Sequence, residues 1–107
     1  MDNSRVALEY FRAFSEKRID QLDYMFHDDI ELIDWDNHVQ GKTEVLAFNL
    51  ALFQSVKRLE VYIDQLADAN DKLFAQIKVI VDSTVLDVID VLTIVNGKIK
   101  QIQAYKQ

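Results

Sequence analysis

Apolar positions recur at two periods along this chain, and the change of period divides it. In the first half they fall at helical spacing. Val6, Ala7, Tyr10, Ala13 and Phe14 form one stripe, with Ser4 placed as the N-cap and Glu9, Arg12 and Glu16 on the outer side. Lys17 and Arg18 close this helix with charge suited to a helix C-terminus. A shorter helix capped by Asp20 follows, with Leu22, Met25 and Phe26 inward. Residues 29–35 then alternate as a strand, Ile30, Leu32 and Asp34 on one face and Glu31, Ile33 and Trp35 on the other. A third helix opens at Gly41 and runs to about Val56. Its stripe of Val45, Phe48, Leu52 and Val56 is widened by Leu46, Leu50 and Phe53.

Beyond this helix, period two prevails. Residues 59–63, 73–81, 85–95 and 98–106 read as strands rich in β-branched and aliphatic side chains. Asn96-Gly97 separates the last two as a type I′ hairpin turn, whose central residues both need positive φ. A turn at Asp82-Ser83, if only those residues form it, puts Ala75, Ile77, Val79 and Val81 on the same face as Asp90. Along that strand Val88, Asp90, Leu92 and Ile94 share a face, and Ile89, Val91, Thr93 and Val95 share the other. Asp90 is therefore a carboxyl group on a strand that is apolar on both sides. In the final strand Lys98, Lys100, Ile102, Ala104 and Lys106 alternate with Ile99, Gln101, Gln103 and Tyr105. The order helix, helix, strand, helix and four strands predicts one α+β domain over residues 1–107. In it a curved, mainly antiparallel sheet wraps around three helices packed on one face.

Composition narrows the function classes. A chain of 107 residues supports one core. The formal charge of −6 and the scattered basic residues argue against a nucleic-acid partner. There is no apolar run of membrane-spanning length, so no membrane partner is expected either. Without cysteine there is no disulfide framework and no thiol chemistry, which makes the cytoplasm the expected setting. His27 and His38 are solitary and lack metal-ligand spacing. No glycine-rich phosphate loop or nucleophile elbow is present. Neither a metal nor a cofactor is expected.

Three local matches join this element order: Phe26-His27-Asp28-Asp29 ahead of the first strand, Gly41 opening the long helix, and Ile89-Asp90-Val91-Leu92 followed by Gly97-Lys98-Ile99. With them the chain resembles the nuclear transport factor two-like (SnoaL-like) superfamily, in particular its ketosteroid isomerase branch, over nearly its whole length. The resemblance implies a cone-shaped, cystatin-like fold. It also implies Asp34 as catalytic base, Tyr10 as phenolic oxyanion donor, and Asp90 as a second donor that works while protonated. Moving a carbon–carbon double bond next to a ketone requires a carboxylate to take a proton from carbon and return it elsewhere. Two donors aimed at the carbonyl oxygen hold the charge of the enolate. A carboxylic acid donates only while neutral, and burial keeps it so, the arrangement known in ketosteroid isomerase. The type reaction implied is isomerisation of a Δ5-3-ketosteroid-like enone. Trp35 departs from the family pattern, which commonly has proline after the base.

Each of these residues also has a plainer reading. Asp90 could be a structural carboxylate meeting backbone or a lysine, Asp34 a turn cap, and Tyr10 a core residue with its hydroxyl bonded. Asp36 is either a second acid or merely solvated. Phe14, Phe26, Phe48, Leu52, Val88 and Leu92 are expected to line an apolar pocket for a small hydrophobic ligand. A cofactor-free isomerase is the leading expectation. A non-catalytic ligand-binding or partner-binding module and a polyketide-cyclase-like enzyme are its rivals. The apolar face of Ile89, Val91, Thr93 and Val95 predicts a homodimer through the outside of the sheet.

Overall fold

The structure, a computed structural model, describes residues 2–107. Its elements are α1 (Asn3–Ser15), α2 (Ile19–Met25), β1 (Phe26–Ile33), β2 (His38–Gln40), α3 (Lys42–Ser55), β3 (Leu59–Ala69), β4 (Lys72–Val81), β5 (Thr84–Val95) and β6 (Lys98–Lys106). This is the expected α+β order with one strand added. β2 pairs with β1 through only Glu31–Gln40, Leu32–Val39 and Ile33–His38, too short a run to carry a visible alternation. Both expected helix caps move. The Asp2 side chain, not Ser4, caps α1 by accepting from Ser4 N at 3.0 Å. Arg18 holds the N-cap position of α2, and Asp20 sits in the first turn, where its charge still suits the helix dipole.

One sheet of six strands runs in the order β2-β1-β6-β5-β4-β3. All neighbours are antiparallel except β1 and β6, which the fold brings together as parallel partners. The β5–β6 turn has Asn96 at φ 52° and Gly97 at φ 77°, the double positive φ that a type I′ turn demands. At the β4–β5 turn Val81 pairs with Thr84, so Asp82 and Ser83 alone form the loop, and Ala75 stands opposite Asp90. A further tight turn at Asn70-Asp71 extends β3 well past the expected residue 63.

Three register irregularities interrupt the sheet: one lies in β1 between Phe26 and Glu31, against β6, and the other two are single-residue slips. In β3 the register slips by one residue at Asp64, which returns Leu66 to the face of Leu59, Val61 and Ile63. In β6 it slips at Lys100, between the pairs Thr93–Gln101 and Ile94–Ile99. That slip corrects the simple alternation expected for the last strand. Ile99 and Ile102 are both buried, because the extra residue between them reverses the parity. Gly41 fixes where α3 begins. Its φ of 98° with ψ of 147° is a region nearly reserved for glycine, and a Cβ there would lie 2.7 Å from Glu44 Oε1. Gly41 N also donates to Ile30 O at 2.7 Å, tying the start of α3 to β1.

The core lies between the helices and the concave face of the sheet. α1 contributes Val6, Ala7, Tyr10 and Phe11, α3 contributes Val45 and Phe53, and the strands contribute Ile30, Leu73, Ile77, Val88, Leu92 and Ile99. Each large aliphatic or aromatic side chain so buried adds roughly 1.5–3 kcal/mol. The outer face has no helix on it. There Phe74, Val91 and Gln103 form one cross-strand row, with Gln76, Ile89 and Tyr105 in the next. Phe74 is 41% and Tyr105 51% exposed. Among the described residues no helix is long and apolar enough to cross a membrane.

Candidate active site

A cavity of about 280 Å³ opens between α1, α3 and the concave side of the sheet. Its wall is mostly apolar: Phe11 and Phe14 from α1, Phe48 and Leu52 from α3, and Val61, Ile77, Val79, Leu86, Val88, Ile102 and Ala104 from the strands. The polar side chains on it are few. They are Tyr10, Asp34, Asn37, Asn49 and Asp90, with Trp35 beside Asp34. The three residues that the resemblance picked out thus share one cavity.

Tyr10 comes from the inward stripe of α1 and is 4% exposed. Its ring is held among Phe11, Phe14 and Phe26, with centroid separations of 5.2, 6.1 and 6.2 Å. Burial above all, and the nearby Asp90 charge second, push the phenol far above its ordinary range, so it stays a donor at any pH the protein meets.

Asp90 is 7% exposed and stands between Ala75 on β4 and Ala104 on β6. Both flanking partners are small, which gives the carboxyl room on the concave face. Burial, and then the charge of Asp34, push its pKa up to about 7, and no hydrogen bond acts in the opposite direction. Near neutrality a large fraction of Asp90 therefore carries a proton that it can donate.

Asp34 follows the last residue of β1 and organises the turn into β2. Its Oδ1 accepts from Asp36 N at 2.8 Å, Asn37 N at 2.7 Å and Asn37 Nδ2 at 3.0 Å. Oδ2 has only the longer contact from Asn37 Nδ2 at 3.3 Å, so it is the oxygen with spare accepting capacity. The same side chain caps a turn and borders the cavity. Asp36 is exposed and lies off the cavity wall. Trp35 is 42% exposed at the rim, with Lys106 Nζ 5.3 Å from its ring centroid.

Of the six residues expected to line the pocket, Phe14, Phe48, Leu52 and Val88 do so. Phe26 and Leu92 do not. Both are fully buried. Phe26 pairs with Ile99 at the start of β1, and Leu92 lies between Leu73 and Ile102, one inward position beyond Asp90. They fill the solid end of the cone. The residue that the sequence reading missed is Asn49, buried at 1% and on the cavity wall. Its position four residues after Val45 and four before Phe53 was a usable signal, since those two are the other buried residues of α3. Among the described residues no cluster of His, Cys, Asp and Glu could hold a metal ion. His27 accepts from Asp29 N, and His38 bonds to Glu31.

The molecule is thus a cone of helices and curved sheet around an apolar cavity, with a phenol and carboxyl groups on its wall. The chain belongs to the SnoaL-like domain family, whose pattern matches residues 7–102. No curated protein matches its sequence. Among solved structures it is similar to a nuclear transport factor two-like protein of unknown function from Cytophaga hutchinsonii, with 8% identity and a TM-score of 0.87, covering 100% of this chain and 91% of that one. It is also similar to a candidate polyketide cyclase from Sinorhizobium meliloti, with 20% identity and a TM-score of 0.85, covering 94% and 93%. A candidate ketosteroid isomerase from Kribbella flavida matches with 13% identity and a TM-score of 0.83, covering 96% and 76%. At such identities these structures share the fold.

The raised pKa of Asp90 has a consequence for stability. Its folded value of about 7 exceeds the ordinary 3.8, so between those values the folded state binds more protons than the unfolded one. The contribution of Asp90 to stability is thus fully present below about pH 4 and is lost as pH climbs towards 7, by an amount on the order of 4 kcal/mol. Asp90→Asn removes the ionisation. Its melting temperature should equal or exceed that of the wild type at pH 8, with the difference shrinking towards pH 4. A variant that melts well below the wild type at pH 8 would contradict this.

Proposed function

We propose that this protein is a cofactor-free proton-transfer isomerase of the cytoplasm, acting on a small hydrophobic ketone. Asp34 is the base, through Oδ2. Tyr10 and protonated Asp90 donate to the carbonyl oxygen. The observation that carries the reading is the presence of Tyr10, Asp34 and Asp90 on one apolar cavity wall, with Asp90 pushed up to about 7. Asp34 and Asp90 are carboxyl groups in different settings, the first bonded by its own turn and the second by nothing in its wall. That asymmetry suits one to accept a proton and the other to donate. A substrate ketone bonded to Tyr10 and Asp90 gains acidity at the carbon next to the carbonyl. Asp34 removes that proton, the electron pair moves onto oxygen, and return of the proton at a more distant carbon completes the shift.

Cavity size limits the substrate. About 150 Å³ is enough for one benzene ring, so a cavity of 280 Å³ suits a compound of one or two rings. A second reading, a binding module without turnover, is favoured by the three hydrogen bonds on Asp34 Oδ1, which by themselves explain an aspartate there. The two readings separate in one assay that follows enone absorbance from a cyclic β,γ-unsaturated ketone. Asp34→Asn should lower turnover by at least about a hundredfold with little change in stability, and Asp90→Asn should lower it partially. A wild type that converts no such ketone, yet binds it as well as both variants do, makes the protein a binding module.

The proposal extends to the outer sheet face, where Phe74, Ile89, Val91 and Tyr105 would meet the same residues of a second copy about a two-fold axis. Light scattering at micromolar concentration should return a dimer for the wild type and a monomer for Phe74→Glu. A monomeric wild type rules this out.

A further inference from the structure

Asn49 lies at the centre of α3, on the same inward line as Val45 and Phe53. Asparagine is a weaker helix former than the leucine and alanine around it, so local propensity does not call for it there. Burial does not call for it either. Its side chain is 1% exposed, and Nδ2 has no hydrogen-bond partner among the described residues. An amide donor taken out of water and left unpaired is destabilising, and a leucine of similar size would avoid that loss. Asn49 nevertheless stands on the cavity wall, between Phe48 and Leu52 of the same helix. It is a polar group with unused bonding capacity at the edge of the space a ligand would fill.

We infer that Asn49 contacts the ligand directly and selects compounds with a second oxygen function, a hydroxyl, in addition to the carbonyl that meets Tyr10 and Asp90. The inference rests on the proposed carbonyl-binding role of that pair. A hydroxyl suits this position better than an ether or a second ketone. The two ends of a carboxamide exchange places by rotation of its terminal torsion, and a hydroxyl both donates and accepts, so it satisfies either orientation. An ether would answer only the donor. Asn49 acts here on affinity and orientation and takes no part in moving the proton.

The test uses aromatic alcohols, because a phenol oxygen imitates the enolate oxygen and a naphthalene matches the cavity in size. The probes are 2-naphthol and its 6- and 7-hydroxy derivatives, titrated by fluorescence against wild type, Tyr10→Phe and Asn49→Leu. Asn49→Ala carries the same comparison should leucine's branched tip prevent folding. Wild type should bind at least one diol about tenfold more tightly than 2-naphthol. The Asn49 variants should lose that preference and keep their affinity for 2-naphthol, whereas Tyr10→Phe should weaken all the probes together. If 2-naphthol binds and Tyr10→Phe weakens it, but no diol is preferred or the preference survives at Asn49→Leu, the inference about Asn49 is wrong and the carbonyl site stands. If none of the probes binds, both are wrong.

Discussion

Asp90 is held among aliphatic side chains because β5 is locked in register against both of its neighbours. The pairs Ala75–Asp90 and Asp90–Ala104 leave the carboxyl no choice of face, since slipping either strand by one residue would turn Val88, Leu92 and Ile94 out of the core along with it. Desolvation of that one group is the constraint on which the rest of the site depends. It lifts the pKa of Asp90 to about 7 and leaves Tyr10 facing a partner whose charge varies with pH. It also gives Asp34 a counterpart of the same chemical type in a very different setting. The stability lost by burying Asp90 is offset by the apolar residues that surround it.

The backbone devices serve that arrangement. Single-residue slips at Asp64 and Lys100 bend β3 and β6, so that the sheet curves over α1 and α3 and a cavity remains at the open end of the cone. Gly41 sets the start of α3, and its bond to Ile30 O ties that start to β1. Eight residues further on, this places Asn49 on the cavity wall. At the closed end, Phe26 and Leu92 fill the space that would otherwise extend the pocket.

Much of this was legible in the sequence, for physical reasons that can be named. Turn chemistry at Asn96-Gly97 and Asp82-Ser83 fixes hairpin register, and register fixes which residues share the face of Asp90. Periodicity turns Tyr10, Asp34 and Asp90 each towards an apolar face, but their joint roles come from the family resemblance, because they lie on α1, after β1 and on β5, and nothing local links them. Bulges were not legible. Lys100 has no feature that marks it as an extra residue, so simple alternation puts Ile99 and Ile102 on opposite faces of β6, where the structure buries both. β2 was too short to alternate. Phe26 and Leu92 had the right face but the wrong depth, since periodicity tells inward from outward and says nothing of how far along the cone a side chain sits. Asn49 is a single polar residue within the broad apolar stripe of α3, where hydrophobic periodicity does not mark it.

The central claim, that burial keeps Asp90 protonated into the neutral range while it faces the cavity, can be measured without any substrate. With ¹³C-labelled aspartate, the Asp90 carboxyl resonance, assigned by its loss in Asp90→Asn, can be followed from pH 3 to pH 9. The account predicts a midpoint near 7, displaced downward in Asp34→Asn because the second carboxylate no longer opposes ionisation. A midpoint near 4, unmoved by Asp34→Asn, would contradict it.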